Sequence, residues 1–271
     1  MTIAEVLKKT EEKHNNIHRD SLTCDGVHAG DIQQECTGIL LTCCPTTAMI
    51  QEAIRCHCNL IYCHETTYYH GYDETEWADG TEICARKKAL LDQHGIVVYR
   101  DHDQVHEEKE DMVYAGIEAA LGWKNYVLKH SHPYMFGYEI PETSLAELAK
   151  YILNRLHLDG TRIVGDPCMK VKRVCLAAHF FGGDGDRECL VEMEKHQYDV
   201  IVPLETVDWT LMEYVLDCNS MGIHKGVINV GHFNLEEAGM ERMIDWLSTA
   251  VGKDLPIRYA QSGNFFGWIS R

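Results

Sequence analysis

The chain has 271 residues, 45% hydrophobic and 9% aromatic, and can bury a substantial core as one large or two smaller domains. Its 25 basic and 42 acidic residues give a formal net charge of −17 with no basic run, which argues against nucleic-acid binding. No stretch approaches the roughly 18 apolar residues of a membrane span, and the charged N-terminus lacks the apolar core of a signal peptide. We therefore expect a soluble cytoplasmic protein that binds neither nucleic acid nor membranes.

Predicted strands and helices alternate through the N-terminal half. Thr2 and Glu5 form the capping box of a first helix. Beyond a loop, short apolar runs predict strands and runs with helical periodicity predict helices. The predicted strands are 38–44, 59–64 and 96–100, and the helices between them are 46–58, capped by Thr46 or Thr47, and 82–94, ended by Gly95. This order predicts two consecutive βαβ units.

The C-terminal half repeats the pattern after a less regular stretch. A helix is predicted at 112–122, and the short apolar segments of 123–140 fit a hairpin or an edge of the sheet. Ser144 and Glu147 then cap a long amphipathic helix. Strands follow at 173–180, 199–205 and 226–232, and helices at 188–197, 209–222 and 235–252. The chain is thus predicted to be an α/β protein with two α/β lobes, 1–130 and 131–271.

Twelve cysteines are scattered along the chain, mostly inside apolar runs, and no C-x-x-C pair occurs. This pattern is typical of buried free thiols in a reducing compartment. No cysteine lies in a recognisable histidine-partnered motif, so nucleophilic cysteine catalysis is not expected.

Histidine and carboxylate residues cluster after three of the predicted strands. The clusters are Cys63-His64-Glu65, the segment His102-Asp103-Gln104-Val105-His106, and Gly231-His232 through Glu236-Glu237. Because the carboxyl ends of parallel strands share one edge of a sheet, these side chains are expected to converge there. A metal site built on strand ends holds its ligands on a rigid frame and leaves one side open for chemistry.

The third cluster has the spacing of a ligand pair. His232 and Glu236 are four residues apart where the chain enters a predicted helix, so they share one face and can bind one metal. The alternative for Glu236 is a carboxylate that favours the helix dipole. Glu237 points roughly 100° away and is expected to be a surface acid.

The other two clusters leave roles open. His102, Asp103 and His106 lie in a predicted polar loop, and any two could bind a metal while the third orients a ligand or moves a proton. Strand alternation places Cys63 on the opposite face from His64, whereas Glu65 could turn to either face. His130 and His132 would share a face if extended, in the least regular part of the chain.

At these residues the sequence resembles the NIF-three-like dinuclear metal proteins, often labelled GTP cyclohydrolase I type 2, over nearly its whole length. The family's Gly-His motif, with a glutamate four residues after the histidine, is intact as Gly231, His232 and Glu236. The resemblance implies two facing α/β lobes, a two-metal site in the cleft between them, and a toroidal homohexamer.

The chain departs from the family pattern at two positions. The family's His-His-Pro motif stands here as His64-Glu65-Thr66, with an acid in place of the second histidine. The family's second motif, a histidine followed four residues later by an aspartate, is matched by His102 and His106. The two exchanges preserve the number of histidines and carboxylates, which indicates a variant site. A bridging carboxylate would then come from Glu65, Asp103 or Glu236.

Mixed imidazole and carboxylate ligands suit Zn, Fe(II), Mn or Ni. The expected ligands of the two divalent ions are His64, Glu65, His106, His232 and Glu236, with Asp103 or His102 as the proton carrier. Such a site suits hydrolysis of a phosphoester, nucleotide or related small molecule. The alternative is a non-catalytic metal-binding or regulatory hexamer.

Overall fold

Two five-stranded sheets and their flanking helices make up the computed structural model, which describes residues 1–14, 23–78, 80–129, 132 and 134–269. The helices are α1 (Ile3–Lys13), α2 (Thr47–Arg55), α3 (Glu82–His94), α4 (Asp103–Glu107), α5 (Met112–Leu121), α6 (Leu145–Leu156), α7 (Asp184–Lys195), α8 (Glu213–Ser220, preceded by a π-helical turn) and α9 (His232–Val251). The strands are β1 (Gly26–Ala29), β2 (Ile39–Thr42), β3 (Leu60–Cys63), β4 (Val97–Arg100), β5 (Met135–Ser144), β6 (Arg162–Val164), β7 (Lys170–Phe180), β8 (Val200–Thr206), β9 (Gly226–Asn229) and β10 (Ile257–Tyr259). The α/β class and the two-lobed organisation are confirmed.

Two compact units account for these elements. The first contains Met1–Gly116 and Glu236–Gly263, and the second contains Ile117–Leu235 and Asn264–Arg271. Each unit is discontinuous because the chain returns to the first unit through most of α9 and through β10. The division into lobes 1–130 and 131–271 stays a prediction. Among the described residues, no helix combines the length and apolar character needed to cross a membrane.

The sheet of the first unit has the strand order β1-β4-β3-β2-β10. Neighbouring strands from β4 to β10 are parallel, and β1 is antiparallel to β4. Every residue of β2, β3 and β4 is buried, as expected of parallel strands covered on both faces. These three strands lie within the predicted ranges, and the βαβ prediction is confirmed.

The predicted helix signals of the first unit are also confirmed. The Thr2 hydroxyl accepts from the Glu5 amide at 3.2 Å, and the Glu5 carboxylate accepts from the Thr2 amide at 2.8 Å. Thr46, the first of the two predicted caps, accepts from the Met49 amide. Gly95 follows α3 with a φ of 61°, a left-handed conformation that glycine adopts without strain.

The second unit has the sheet order β5-β7-β8-β9-β6. The central strands β7, β8 and β9 are parallel, and both edge strands are antiparallel to their neighbours. Both alternatives for 123–140 have support: β5 begins within this stretch and pairs with β7 at the sheet edge, and Val127 forms an antiparallel bridge with Tyr138 of β5. The Ser144 hydroxyl caps α6 as predicted, accepting from the Glu147 amide at 3.2 Å.

Two predicted boundaries near the clusters are wrong. The strand predicted at 226–232 ends at Asn229, and His232 is the first residue of α9. Gly231 makes the turn between them with a φ of 96°. The segment after His102, predicted as a loop, forms the short helix α4, because both Asp25 carboxylate oxygens accept amide protons from its first turn. The ten buried cysteines agree with the apolar sequence context.

Candidate metal centre

Three histidines converge at the carboxyl edge of the first sheet. His64 directly follows β3, and the parallel neighbour β4 places His102 two residues beyond Arg100. His106 lies one helical turn further on in α4. The ring centroids are 4.4 Å apart for His64 and His102, 5.0 Å for His64 and His106, and 4.9 Å for His102 and His106. The expected convergence of the first two clusters is therefore found.

Two buried carboxylates, those of Glu65 and Glu236, lie close to the His64 ring. The Nε2 atom of His64 lies 3.6 Å from Oε2 of Glu236. Within two groups, single potential ligand atoms lie within 4.8 Å of one another: His64 with His102 and His106, and His64 with Glu65 and Glu236. His64 is fully buried, and Glu65 and Glu236 are 6% and 1% exposed. His64 thus belongs to both groups.

Each of the three histidines has an oxygen partner at Nδ1. His64 Nδ1 donates to the Asp101 carbonyl at 3.1 Å. His102 Nδ1 lies 3.0 Å from an Asp103 oxygen, and His106 Nδ1 lies 2.8 Å from an Asp111 oxygen. Such partners fix each ring and leave its Nε2 available, either to bind a metal or to carry a proton.

The acid–base character of His64 and His102 differs. Burial lowers the pKa of His64, but Glu236 and Glu65 beside the ring raise it above its ordinary value overall. Burial and the neighbouring His64 lower the pKa of His102. The hydrogen bond from His102 holds the pKa of Asp103 well below its usual range, and Thr23 donates a further hydrogen bond to it at 2.8 Å. Asp103 is therefore a stable carboxylate, and His102 is the better proton carrier of the two.

Arg100 is a site residue that the sequence did not reveal. Its side chain is 3% exposed, and Nη2 lies 3.3 Å from an oxygen of Glu65. Nε donates to the His64 carbonyl at 2.9 Å, and Nη1 donates to the Gly71 carbonyl at 2.6 Å. Arg100 thus balances the charge of Glu65 and fixes the backbone that carries His64.

A buried network supports the backbone at Asp101. His14 donates from Nε2 to Asp101 at 3.0 Å and from Nδ1 to Glu108 at 2.8 Å. Tyr62 also donates to Asp101. Burial opposes protonation of His14, but the two carboxylates raise its pKa overall. The sequence gives no local signal for this network, because its members lie far apart along the chain.

The third cluster is distributed differently from the first two. Glu236 belongs to the first unit, whereas His232 belongs to the second, where its Nδ1 lies 3.4 Å from Glu205 and its ring centroid lies 4.9 Å from that of His179. Its role as a ligand with Glu236 stays a prediction. Neither His179 nor Glu205 was singled out from the sequence, although each lies near the end of a predicted strand.

The sequence also gave expectations for Glu237 and for the pair His130 and His132. The prediction that Glu237 is a surface acid is wrong: it is 3% exposed and accepts hydrogen bonds from Tyr259 at 2.6 Å and from the Ser262 amide at 2.7 Å. β10 and the segment after it cover this face of α9, and burial raises the pKa of Glu237. His130 lies outside the described residues, and His132 accepts a hydrogen bond from the Tyr134 amide at 3.3 Å.

Comparison with known proteins gives a family match and fold relatives. The family model described as Duf34/NIF3 (NGG1p interacting factor 3) matches residues 1–263. The Staphylococcus aureus hypothetical protein SA1388 has a TM-score of 0.72 at 19% identity, with 99% of each chain covered. A Bacillus cereus protein related to NIF3 has a TM-score of 0.72 at 14% identity, also with 99% of each chain covered.

A third relative comes from an archaeon. Reduced HcgD from Methanocaldococcus jannaschii has a TM-score of 0.65 at 15% identity, with 96% of this chain and 97% of that chain covered. At these identities the likeness shows a shared fold. A search of curated proteins gives no match.

Proposed function

Because the chain belongs to the Duf34/NIF3 (NGG1p interacting factor 3) family, we propose that it is a divalent-metal-dependent hydrolase of a phosphoester, nucleotide or related small molecule. The family and the histidine and carboxylate groups fit a metal-binding protein. In this proposal the protein binds two divalent ions of Zn, Fe, Mn or Ni, assembles as a homohexamer and is located in the cytoplasm.

The observation that carries this proposal is the environment of His64 Nε2. This atom is buried, makes no hydrogen bond among the described residues, and lies 3.6 Å from a Glu236 oxygen. Leaving a buried ring nitrogen unsatisfied costs about 1–3 kcal/mol, a cost that coordination to a cation would remove. The donor set therefore fits a divalent metal.

The residues divide into ligands and supporting groups. We assign His64, Glu65, His106 and Glu236 as ligands, and His232 remains a predicted fifth. Two divalent ions would supply an activated water and stabilise developing negative charge. Asp103 orients His102 through Nδ1, and the lowered pKa of His102 keeps this imidazole neutral, so that its Nε2 can take up and release a proton. The Asp101 carbonyl and Arg100 hold His64 and Glu65 in place.

The second candidate function is metal binding without catalysis. It is favoured by the low exposure of His64 and Glu236, at 0% and 1%, because a ligand set closed to solvent leaves little access for a substrate. A catalytic metal site keeps a coordination position open, whereas a storage or sensing site does not need one.

A paired metal and activity experiment tests the proposal. Metal-free protein is reloaded with Mn, Fe or Zn, the bound metal is quantified, and phosphoesters and nucleotides are screened for turnover. His64→Ala and Glu236→Gln should lose both metal and turnover, while His94→Ala, which changes an exposed histidine, should keep both. Turnover that survives both site substitutions would exclude these ligands from the mechanism. Metal binding that requires them, without turnover on any substrate, would favour the second candidate.

A further inference from the structure

We propose that Cys56 and Cys58 are a redox modification site, at which a low-molecular-weight disulfide oxidises the two thiols reversibly to an intrachain disulfide. Both residues belong to the first unit and lie between the end of α2 and the amino end of β3. His64 follows the opposite, carboxyl end of β3. The modification site is therefore separate from the metal ligands and goes beyond the proposed hydrolase.

A Schellman motif ends α2 and sets the backbone between the two cysteines. Cys56 is the C-cap residue, and His57 follows it in the left-handed conformation with a φ of 59°. The Cys58 amide donates to the Ala53 carbonyl at 2.9 Å, and the His57 amide donates to the Ile54 carbonyl at 3.2 Å. These are the two hydrogen bonds of the motif, in which a left-handed residue turns the chain back over the last helical turn. Histidine is one of the few residue types other than glycine that adopt this conformation with some frequency.

The turn brings the two sulfur atoms together. Sγ of Cys56 lies 3.3 Å from Sγ of Cys58. A disulfide bond is about 2.05 Å long, so the sulfurs need to approach by only about 1.2 Å, which small rotations of the two side chains provide. A Cβ at Gly38 would lie 3.0 Å from Sγ of Cys58, so the glycine leaves room for this sulfur. The Thr37 hydroxyl holds the turn by donating to the His57 carbonyl at 2.8 Å. The pair is therefore prearranged for bond formation.

The two thiols differ in their exposure to solvent. Among the twelve cysteines, all of which lie in the described part of the chain, only Cys56 and Cys168 are not buried. Cys58 is 3% exposed. Burial, together with the neighbouring Cys56 thiol, raises the pKa of Cys58 to about 12, while the guanidinium group of Arg258 acts in the opposite direction. Because the thiolate is the nucleophile in thiol–disulfide exchange and must reach the oxidant, we expect Cys56 to react first.

The exchange proceeds in two steps. The Cys56 thiolate attacks one sulfur of the oxidant, which forms a mixed disulfide and releases the first thiolate. The Cys58 thiolate then attacks the Cys56 sulfur and displaces the second thiolate. The two cysteines are oxidised to one disulfide, the oxidant is reduced to two thiols, and the two thiol protons of the protein pass through solvent to the released thiolates. Because the second step is intramolecular, the short distance between the sulfurs offsets the low thiolate fraction of the buried Cys58.

Oxidation of the folded full chain by glutathione disulfide tests this site. After the remaining thiols are alkylated, cleavage after Arg55 and Tyr62 releases the segment 56–62, which contains Cys56 and Cys58 and no other cysteine. Mass spectrometry then reads its state. We expect the wild-type segment to lose two hydrogens and to carry no glutathione. Cys58→Ser should instead accumulate glutathione on Cys56, and Cys56→Ser should react at least about 10-fold more slowly, because its remaining thiol is buried.

Cys168→Ser is the matched control, because it removes the exposed cysteine and should leave disulfide formation in the segment 56–62 unchanged. Circular dichroism shows whether each variant is folded. Two free thiols in this segment of the wild type, under conditions that modify Cys168, would overturn the proposal. Equal accumulation of glutathione on Cys56 in the wild type and in Cys58→Ser would also overturn it. Neither metal content nor turnover enters this measurement, so its result is independent of the hydrolase proposal.

Discussion

Exchanging Glu65 for glutamine is expected to destabilise the first unit even when no metal is bound. Glu65 is 6% exposed and Arg100 is 3% exposed, and their charged groups lie 3.3 Å apart. Glutamine keeps the size of the side chain and one acceptor oxygen but removes the negative charge. The guanidinium group of Arg100 would then be left with much less compensation in a buried position.

The structure sets the magnitude of this effect. Removing one partner of a buried ion pair costs about 3–5 kcal/mol when the other charge is left uncompensated. Arg100 keeps its hydrogen bonds to the carbonyls of His64 and Gly71, and a carboxylate oxygen of Asp73 lies 4.0 Å away. We therefore expect Glu65→Gln to lower the free energy of unfolding by about 2 kcal/mol, below the range for a fully uncompensated charge. Glu65→His places hydrogen-bond donors, and no acceptor charge, beside the Arg100 guanidinium group. It should therefore lower the free energy of unfolding by about 4 kcal/mol, within that range.

Urea unfolding in excess chelator, followed by circular dichroism, measures these differences. Glu74→Gln is the matched control, because Glu74 is a mostly exposed acid of the same unit and should change stability by less than about 0.5 kcal/mol. In a protein that already carries Arg100→Met, the ion pair is broken. Glu65→Gln should therefore lower the free energy of unfolding by at least about 1 kcal/mol less than it does in the wild type. A full 2 kcal/mol loss that persists in that background, or no loss in the wild type, would refute the pairing argument.

Three further substitutions test the packing and electrostatics of the first unit. Gly116→Ala should lower the free energy of unfolding by about 2 kcal/mol, because the Cβ of an alanine at this position would lie 2.4 Å from the Gly239 Cα. A variant as stable as the wild type, or more stable, in urea unfolding would contradict this close approach. Thr46→Ala removes the cap of α2 and should cost about 1 kcal/mol in the same assay, whereas Thr46→Ser should cost far less. Because the pKa of His14 is raised in the folded state, its protonated form stabilises the fold. This contribution to the free energy of unfolding is fully present below the pKa of the unfolded state, about 6.5, and is lost as pH rises through the pKa of the folded state. His14→Gln should therefore cost more stability near pH 6 than near pH 9, and a cost that is constant or grows with pH would contradict the buried pair with Asp101.

Helix caps and helix ends could be predicted from the sequence, because they depend on residues that are close together in the chain. The capping box at Thr2, the cap at Thr46 and the helix end at Gly95 each involve residues within one helical turn, and all three are confirmed. The rule that parallel strands end at one edge of a sheet predicts that His64 lies beside His102, and their ring centroids are 4.4 Å apart. These inferences needed only the order of the elements and the spacing of the residues.

Features that depend on residues distant in the chain could not be predicted in this way. The short strands β1, β6 and β10 have three or four residues each, and they form because distant strands offer them hydrogen bonds. The helix at 103–107 depends on Asp25, about eighty residues earlier, as its N-terminal acceptor. The contact of Arg100 with Glu65 also becomes visible only when β3 and β4 lie side by side.

Glu65 and His106, the two positions at which the sequence departs from the pattern that the resemblance implies, each have a local polar partner. Glu65 lies beside the buried guanidinium of Arg100, and His106 lies 2.8 Å from an oxygen of Asp111. A histidine at position 65 would place a second potential cation beside Arg100, and an aspartate at position 106 would place two carboxylates together beside α4. Either single reversion therefore opposes like charges, which is destabilising in partly buried surroundings. The carboxylate and imidazole at these positions are consequently tied to their own neighbours, and restoring the family residue would require changing the neighbour as well.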